Sequence, residues 1–208
     1  MQVDSRQLIV VLEAAGLDYS RLHKKKPELL SYDENEKFIR ERLRRDPEDY
    51  KPHIVHQCLL NLMDSPLNKA GLLKVLINTF NGQLIEINPQ TRIPRTYQRF
   101  SPLIGQLLKK EKIRSSDGLT SLMRILKGPV IEHLPKECLK VAASTKGRLV
   151  HINEYLKDVD TNNPVVFVIG AVDKGTPSVD VGYTQDIVSL SRYHLASATV
   201  CAKLLIAF

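Results

Sequence analysis

The stretch Val165-Val166-Phe167-Val168-Ile169-Gly170-Ala171-Val172-Asp173-Lys174-Gly175 decides how this chain is to be read. An unbroken apolar run opening at Pro164 and ending in Gly170-Ala171 predicts a strongly apolar strand over 164–172. Its end in Gly170-Ala171 is the kind of place where a backbone must approach a nucleotide closely. Neither a GxGxxG nor a Walker pattern is present, and on local pattern alone a buried strand with a turn is the commoner meaning. Working outward, residues 139–143 predict a strand, 151–159 a short helix, 186–191 another short strand and 195–207 a final apolar helix. Strands alternating with helices predict an α/β domain with a largely parallel sheet.

The rest of the chain fits the same class. Residues 7–13 are rich in Leu, Ile and Val and predict a first buried strand. Residues 53–63 carry apolar side chains at helical spacing, closed by Asp64-Ser65-Pro66. Residues 72–79 and 83–88 flank Asn81-Gly82, which predicts a hairpin. A basic loop after Pro89 leads to a long helix with Phe100, Leu103, Ile104, Leu107 and Leu108 on one face. Pro102 in that helix leaves two possibilities: a kink, or a fresh start capped by Ser101. Residues 21–51, dense in Lys, Arg, Asp and Glu, predict a solvated insertion with one exposed helix over 35–44. The whole reads as a single domain over 1–208, with that insertion and a hairpin and basic-loop extension around 72–100.

Composition narrows the partners. The chain has 208 residues and a formal net charge of +7, an excess that suits a polyanion, since Lys and Arg neutralise phosphates and release counterions. The three cysteines, Cys58, Cys138 and Cys201, are odd in number and widely spaced. They predict neither disulfides nor structural zinc, and a reducing compartment. The start has no basic n-region and reads as a strand, not a signal peptide. No apolar stretch is long enough to span a bilayer, so no membrane partner is expected.

Three stretches could carry chemistry. In the first, from Asn88 to Phe100, Arg92, Arg95 and Arg99 sit three and four residues apart, stiffened by Pro89 and Pro94. Guanidinium forks grip phosphate oxygens bidentately, so this is the candidate nucleic-acid contact. The second is the strand end at Gly170. The third is Val188-Ser189-Leu190-Ser191-Arg192-Tyr193-His194-Leu195-Ala196-Ser197-Ala198, small and hydroxyl residues between a strand and an apolar helix, which alone decides nothing. His53 and His56 stand near one another on a helix without a third ligand, so no metal is expected. Asp64 reads as a structural carboxylate closing a helix end.

Together these residues resemble one family. His56-Gln57-Cys58-Leu59, Met63-Asp64-Ser65-Pro66-Leu67-Asn68-Lys69-Ala70-Gly71, Ile85-Glu86-Ile87-Asn88-Pro89, Arg92-Ile93-Pro94-Arg95-Thr96, Asp117-Gly118, Phe167-Val168-Ile169-Gly170-Ala171 and Tyr193-His194-Leu195-Ala196-Ser197-Ala198 occur in order. They resemble the ribosome-biogenesis pseudouridine N(1)-methyltransferases of the SPOUT superfamily, the eukaryotic branch more than the archaeal, from about Arg6 onward. The resemblance implies a SPOUT-type α/β fold with a C-terminal trefoil knot, a homodimer, S-adenosylmethionine as methyl donor, and a pseudouridine of small-subunit ribosomal RNA as substrate. It also implies a nucleolar or nuclear location and other small-subunit assembly factors as partners. Carried over residue by residue, the donor meets Ala143, Gly170, Gly175, Val188, Ser189, Leu190, Ser191, Arg192 and Tyr193. The RNA meets Arg92, Arg95, Arg99, Lys51 and His53. The chain departs from the family in two places. Ala142-Ala143-Ser144 replaces Gly-Thr-Ser, and Lys51-Pro52-His53 replaces Arg-Pro-Asp, so a lysine stands where a fork is usual and a histidine where a carboxylate is usual. No catalytic side chain is assigned, because positioning supplies much of such a rate. The alternative is a non-catalytic RNA-binding assembly factor of the same fold, separable by a donor-binding titration.

Overall fold

The structure is a computed structural model, and it describes residues 6–19, 28–157, 159, 163–173 and 182–208. Eight strands form one sheet in the order β4-β5-β3-β2-β1-β7-β6-β8. The strands are β1 Leu8–Ala15, β2 Leu73–Thr79, β3 Leu84–Ile87, β4 Lys112–Arg114, β5 Ser121–Leu126, β6 Leu139–Leu149, β7 Val165–Gly170 and β8 Asp186–Ser189. The run β2-β1-β7-β6-β8 is parallel throughout, and β3, β5 and β4 continue it antiparallel. The apolar 165–170 stretch lies between β1 and β6, buried on both sides, which is why it shows no alternation. The hairpin expected as part of an extension lies inside the sheet, with β2 paired along β1 from Leu8↔Leu73 to Ala15↔Thr79.

Alternate residues of β1 build two cores. Leu8, Val10 and Leu12 face the larger one, shared with the helices α2 (Pro52–Met63), α4 (Tyr97–Lys110) and α6 (Ser197–Ala207). Ile9 and Val11 face a smaller one with Val166, Val168, Val130 and Leu134. Pro at the first position of α2 suits its entry, since that N–H has no helical partner anyway. One helix runs through Pro102, without a second start. The Ser101 hydroxyl does not cap; it accepts the backbone N–H of Leu29 at 3.0 Å. That bond and a small cluster of Leu30, Ile39 and Tyr50 dock the charged insertion, which is therefore less solvated than its composition predicts. Its helix α1 spans Tyr32–Phe38 and passes into a π-turn at Ile39–Leu43, opening earlier than the predicted 35–44. Two short α-helices also stand among the described residues, α3 at Pro66–Lys69 and α5 at Ile152–Lys157. The expected knot turns on the path of residues 174–181, which lie outside the described residues.

Candidate functional site

A pocket of about 270 Å³ opens at the carboxyl ends of β6, β7 and β8, the edge where parallel sheets present ligands. Its floor is the strand end that opened the reading, Ile169 and Gly170. One wall comes from an irregularity in β6. Ala143 and Arg148 both register against Val188 of β8, so residues 144–147 bulge out between them and carry Ser144 and Thr145 to the rim. The bulge returns tightly at Gly147, where an added Cβ would stand 2.5 Å from the Ile187 carbonyl oxygen. The opposite wall is the turn from Ser189 to Leu195, with Ser197 and Val200 of α6 behind it.

Hydroxyls hold that turn in shape. Ser189 Oγ donates to the Ser191 carbonyl at 2.8 Å, and Ser191 Oγ accepts the Tyr193 N–H at 3.0 Å. Ser197 Oγ donates to the Gly170 carbonyl, which ties α6 to the end of β7. Beneath α6, Cys201 and Cys58 meet in the core, and their mutual hydrogen bond together with burial pushes the Cys201 thiol up. The lining mixes serine hydroxyls and backbone with the apolar Ile169, Leu190 and Val200, and among the described residues it contains no carboxylate side chain. That donor set fits a nucleoside-bearing ligand with a cationic centre no better anchored than by shape and dipoles.

Of the residues expected at the donor, Ala143, Gly170, Ser189, Leu190, Ser191 and Tyr193 line this pocket. Val188 is fully buried in β8 and supports the wall from behind. Arg192 does not line the pocket, and Gly175 lies outside the described residues. The lining also takes in Ser144, Ile169, Val172, His194, Leu195 and Ser197, which stand in the quoted stretches without having been assigned to the donor, and Thr145 and Val200, which stand outside them.

The arginine loop forms a second site on the far side of α2. Arg92, Arg95 and Arg99 are exposed. Arg92 and Arg95 border a groove of about 540 Å³ floored by Leu59, Leu60 and Met63. Buried polar groups set the loop's shape. Asn68, 3% exposed, donates from Nδ2 to the carbonyls of Met63 and Pro89, both at 2.9 Å. Thr91 donates to the Leu122 carbonyl at 2.7 Å. His56, 6% exposed, stacks on Phe100 with centroids 4.5 Å apart, and its Nε2 lies 2.7 Å from the Pro94 carbonyl. A carbonyl only accepts, so Nε2 carries the proton. Asp64 does more than close a helix: it pairs with Arg95 at 2.8 Å. Burial raises the Tyr97 phenol to about 12.

The remaining expected contacts divide. His53 is exposed on the first turn of α2. Lys51 is not open in the same way: its ammonium lies 2.6 Å from Glu48 and 2.9 Å from Asp173.

Comparison with known proteins gives a consistent result. The family description "EMG1/NEP1 methyltransferase" matches residues 10–208. A human protein named ribosomal RNA small subunit methyltransferase NEP1 is 45% identical over 207 residues, covering 100% of this chain and 82% of its own length. The mouse protein of the same name is 46% identical over 98% of this chain and 81% of its own. Among solved structures, Nep1 of Archaeoglobus fulgidus bound to S-adenosylhomocysteine superposes with a TM-score of 0.78 at 25% identity, covering 97% of this chain and 96% of that one.

Proposed function

This chain belongs to the EMG1/NEP1 methyltransferase family, and from that premise we propose that it transfers a methyl group from S-adenosylmethionine to N(1) of a pseudouridine in small-subunit ribosomal RNA. One observation carries the reading beyond family membership. The pocket at the ends of β6, β7 and β8 is backed by α6, which packs against α2, and the groove beside the arginine loop is floored by α2 itself. One helix pair, α2 with α6, thereby stands between the donor's place and the polyanion's.

The chemistry asks little of side chains. Bound in the pocket, S-adenosylmethionine supplies an electrophilic methyl group on a sulfonium. The chain's own residues bind and orient. Ala143, Ser144, Gly170 and the 189–195 turn shape the donor's seat, and Arg92, Arg95 and Arg99 hold phosphates so that a base can be presented. Pseudouridine is joined to ribose through carbon, which leaves N(1)–H free, whereas uridine has no free N(1). A base must leave its stack to be reached, so a single-stranded loop is the natural substrate.

The same reading includes a homodimer, the trefoil knot, a nucleolar location and association with other small-subunit assembly factors. For the dimer, the support is α6. Its inner face is buried at Cys201 and Leu204, yet Ile206 near its end is 84% exposed. Light scattering at micromolar concentration tests the dimer, and a monomer would exclude it. The activity is tested with matched RNA hairpins bearing uridine or pseudouridine at one loop position. Methyl transfer to the pseudouridine hairpin alone is expected; equal transfer to both would remove the N(1) assignment.

A further inference from the structure

Lys51 sits in surroundings unsuited to a phosphate contact. Its side chain is 14% exposed, with Glu48 Oε2 at 2.6 Å and Asp173 Oδ2 at 2.9 Å. The Tyr32 ring lies below it, 5.7 Å from the ammonium to the centroid. Of the three N–H donors of an ammonium, two are already taken by carboxylates. Those same bonds, Glu48 first and then Asp173, hold its proton more tightly than usual. The two charged groups that act on the ammonium, Glu48 and Asp173, are both carboxylates. An incoming phosphate would meet more negative charge than positive there, and would have to displace a carboxylate to reach the lysine.

What Lys51 does join is two parts of the chain far apart in sequence. It immediately precedes α2, while Asp173 follows directly on Val172, a wall of the donor pocket. The inner part of that wall is fixed by other bonds. The Ala171 N–H donates to the Glu13 carbonyl at 2.8 Å, and the Gly170 carbonyl accepts from Ser197. Asp173 is the next residue outward, and Lys51 is one of the groups that hold it. The reach of this tie is 122 residues along the chain.

We propose that Lys51 is a positioning residue for the methyl donor: bridging Glu48 and Asp173, it holds the Val172–Asp173 wall against the foot of α2, and it contacts no RNA phosphate. The proposal rests on the assignment of the donor to this pocket. A tie of two charge-assisted bonds, both to half-exposed partners, is enough to shift ligand affinity about five- to tenfold when lost.

The test uses the full chain, S-adenosylhomocysteine titrated by calorimetry, and an RNA hairpin titrated by anisotropy over a range of salt. Lys51→Met keeps the apolar stem and removes the charge; Asp173→Asn removes the partner; Lys51→Asp with Asp173→Lys exchanges them. Each single variant is expected to weaken S-adenosylhomocysteine about five- to tenfold, with the log–log salt slope of RNA binding unchanged, and the exchange is expected to recover most of the loss. Melting temperature is followed in parallel. A slope lower by about one unit in Lys51→Met, with donor affinity intact, would make Lys51 a phosphate contact and overturn the proposal. So would equal loss of both ligands with a large fall in melting temperature and no recovery on exchange. A parent chain that binds RNA but no S-adenosylhomocysteine would overturn the pocket assignment itself, whereas parent and variants binding the donor alike would overturn the bridge alone.

Discussion

Replacing Asn68 by leucine isolates the scaffold of the arginine loop from its charges. Asn68 lies in α3, and its amide donates to the Met63 and Pro89 carbonyls at 2.9 Å each. Its backbone N–H is taken by Ser65 Oγ at 3.1 Å, so the residue itself stays in place whatever its side chain. Leucine has a similar shape and fills the space without donors. Two carbonyls then lose their partners in a site only 3% exposed. Each orphaned acceptor costs about 1–1.5 kcal/mol, which places the loss at about 2–3 kcal/mol. For a chain of this size that is a fall of about 4–12 °C in melting temperature. Pro89 begins the approach to Arg92, so the arginines lose part of their pre-organisation and RNA affinity falls about fivefold. No cation has been removed, so the salt slope stays where it was. Thermal melts and anisotropy titrations at several salt concentrations read both quantities. A stability change under about 0.5 kcal/mol, or a salt slope lower by a full unit, would refute the view that Asn68 shapes the loop without touching RNA.

Other perturbations follow from the same geometry. Arg99→Ala should weaken RNA binding and lower the log–log salt slope by about one unit while leaving donor affinity unchanged; a parallel loss of donor affinity would make this arginine structural. Asp64→Asn should act with the opposite sign, strengthening RNA binding at low salt, because it releases Arg95 from an exposed pair of little value to stability; weaker binding would show that the pair orients the guanidinium. Gly147→Ala should cost about 2 kcal/mol or more and weaken S-adenosylhomocysteine binding by calorimetry, since its Cβ would meet the backbone of Ile187 and Val188 at 2.5–2.7 Å and push β6 from β8; an unchanged melt would mean the bulge is free to shift. Glu13 has its carboxyl raised above 4.5, chiefly by burial and against hydrogen bonds from Asn78 and Tyr183. Its neutral form is therefore favoured in the fold, and that stability is present below pH 4.5 and lost as pH rises through the raised value. Glu13→Gln stays neutral, so its melting temperature relative to the parent should climb between pH 4 and pH 8, as about five melts would show; a constant difference would mean the carboxyl's burial costs nothing.

The parts of the fold legible in sequence are those where burial imposes a period. The 165–170 strand is apolar throughout because β1 and β6 flank it and both faces are covered. The hairpin was visible because Asn81-Gly82 supplies a positive φ at Gly82, +78°. Residues 111–138 showed nothing comparable. Lys112-Ile113-Arg114 forms the sheet edge with both charged residues in solvent, and β5 has a single buried side chain, Met123. Strands so thinly buried have no apolar run to announce them. The pocket divides the same way. Its strand ends, the Ser189–Ser191 turn and Ser197 stand in motifs, whereas Val200 enters it only because α6 folds back over β7, and Thr145 only because β6 bulges. Lys51 marks the limit most clearly. In sequence it is a cation before a helix in a basic protein, and nothing nearby tells that its second carboxylate comes from Asp173.

The helix α2 carries no chemistry of its own, yet both sites are tied to it. At its foot Lys51 holds Asp173 beside the donor pocket. In its body Asn61 donates to the Ala198 carbonyl at 3.0 Å, fixing the start of α6, whose Ser197 and Val200 form the pocket's back wall. On another face His56 holds the Pro94 carbonyl and stacks on Phe100, and at its end Asp64 meets Arg95. Its 12 residues make a rod about 18 Å long, locked to the sheet by Val55, Cys58, Leu59 and Leu62, all fully buried. A transfer that depends on placing a donor's methyl group against one atom of a base gains nothing from a loose relation between the two sites. A rigid helix gripping the donor wall at one end and the arginine loop at the other fixes that relation through backbone geometry. The residues that accomplish it — Lys51, His56 and Asn61 — need touch neither ligand.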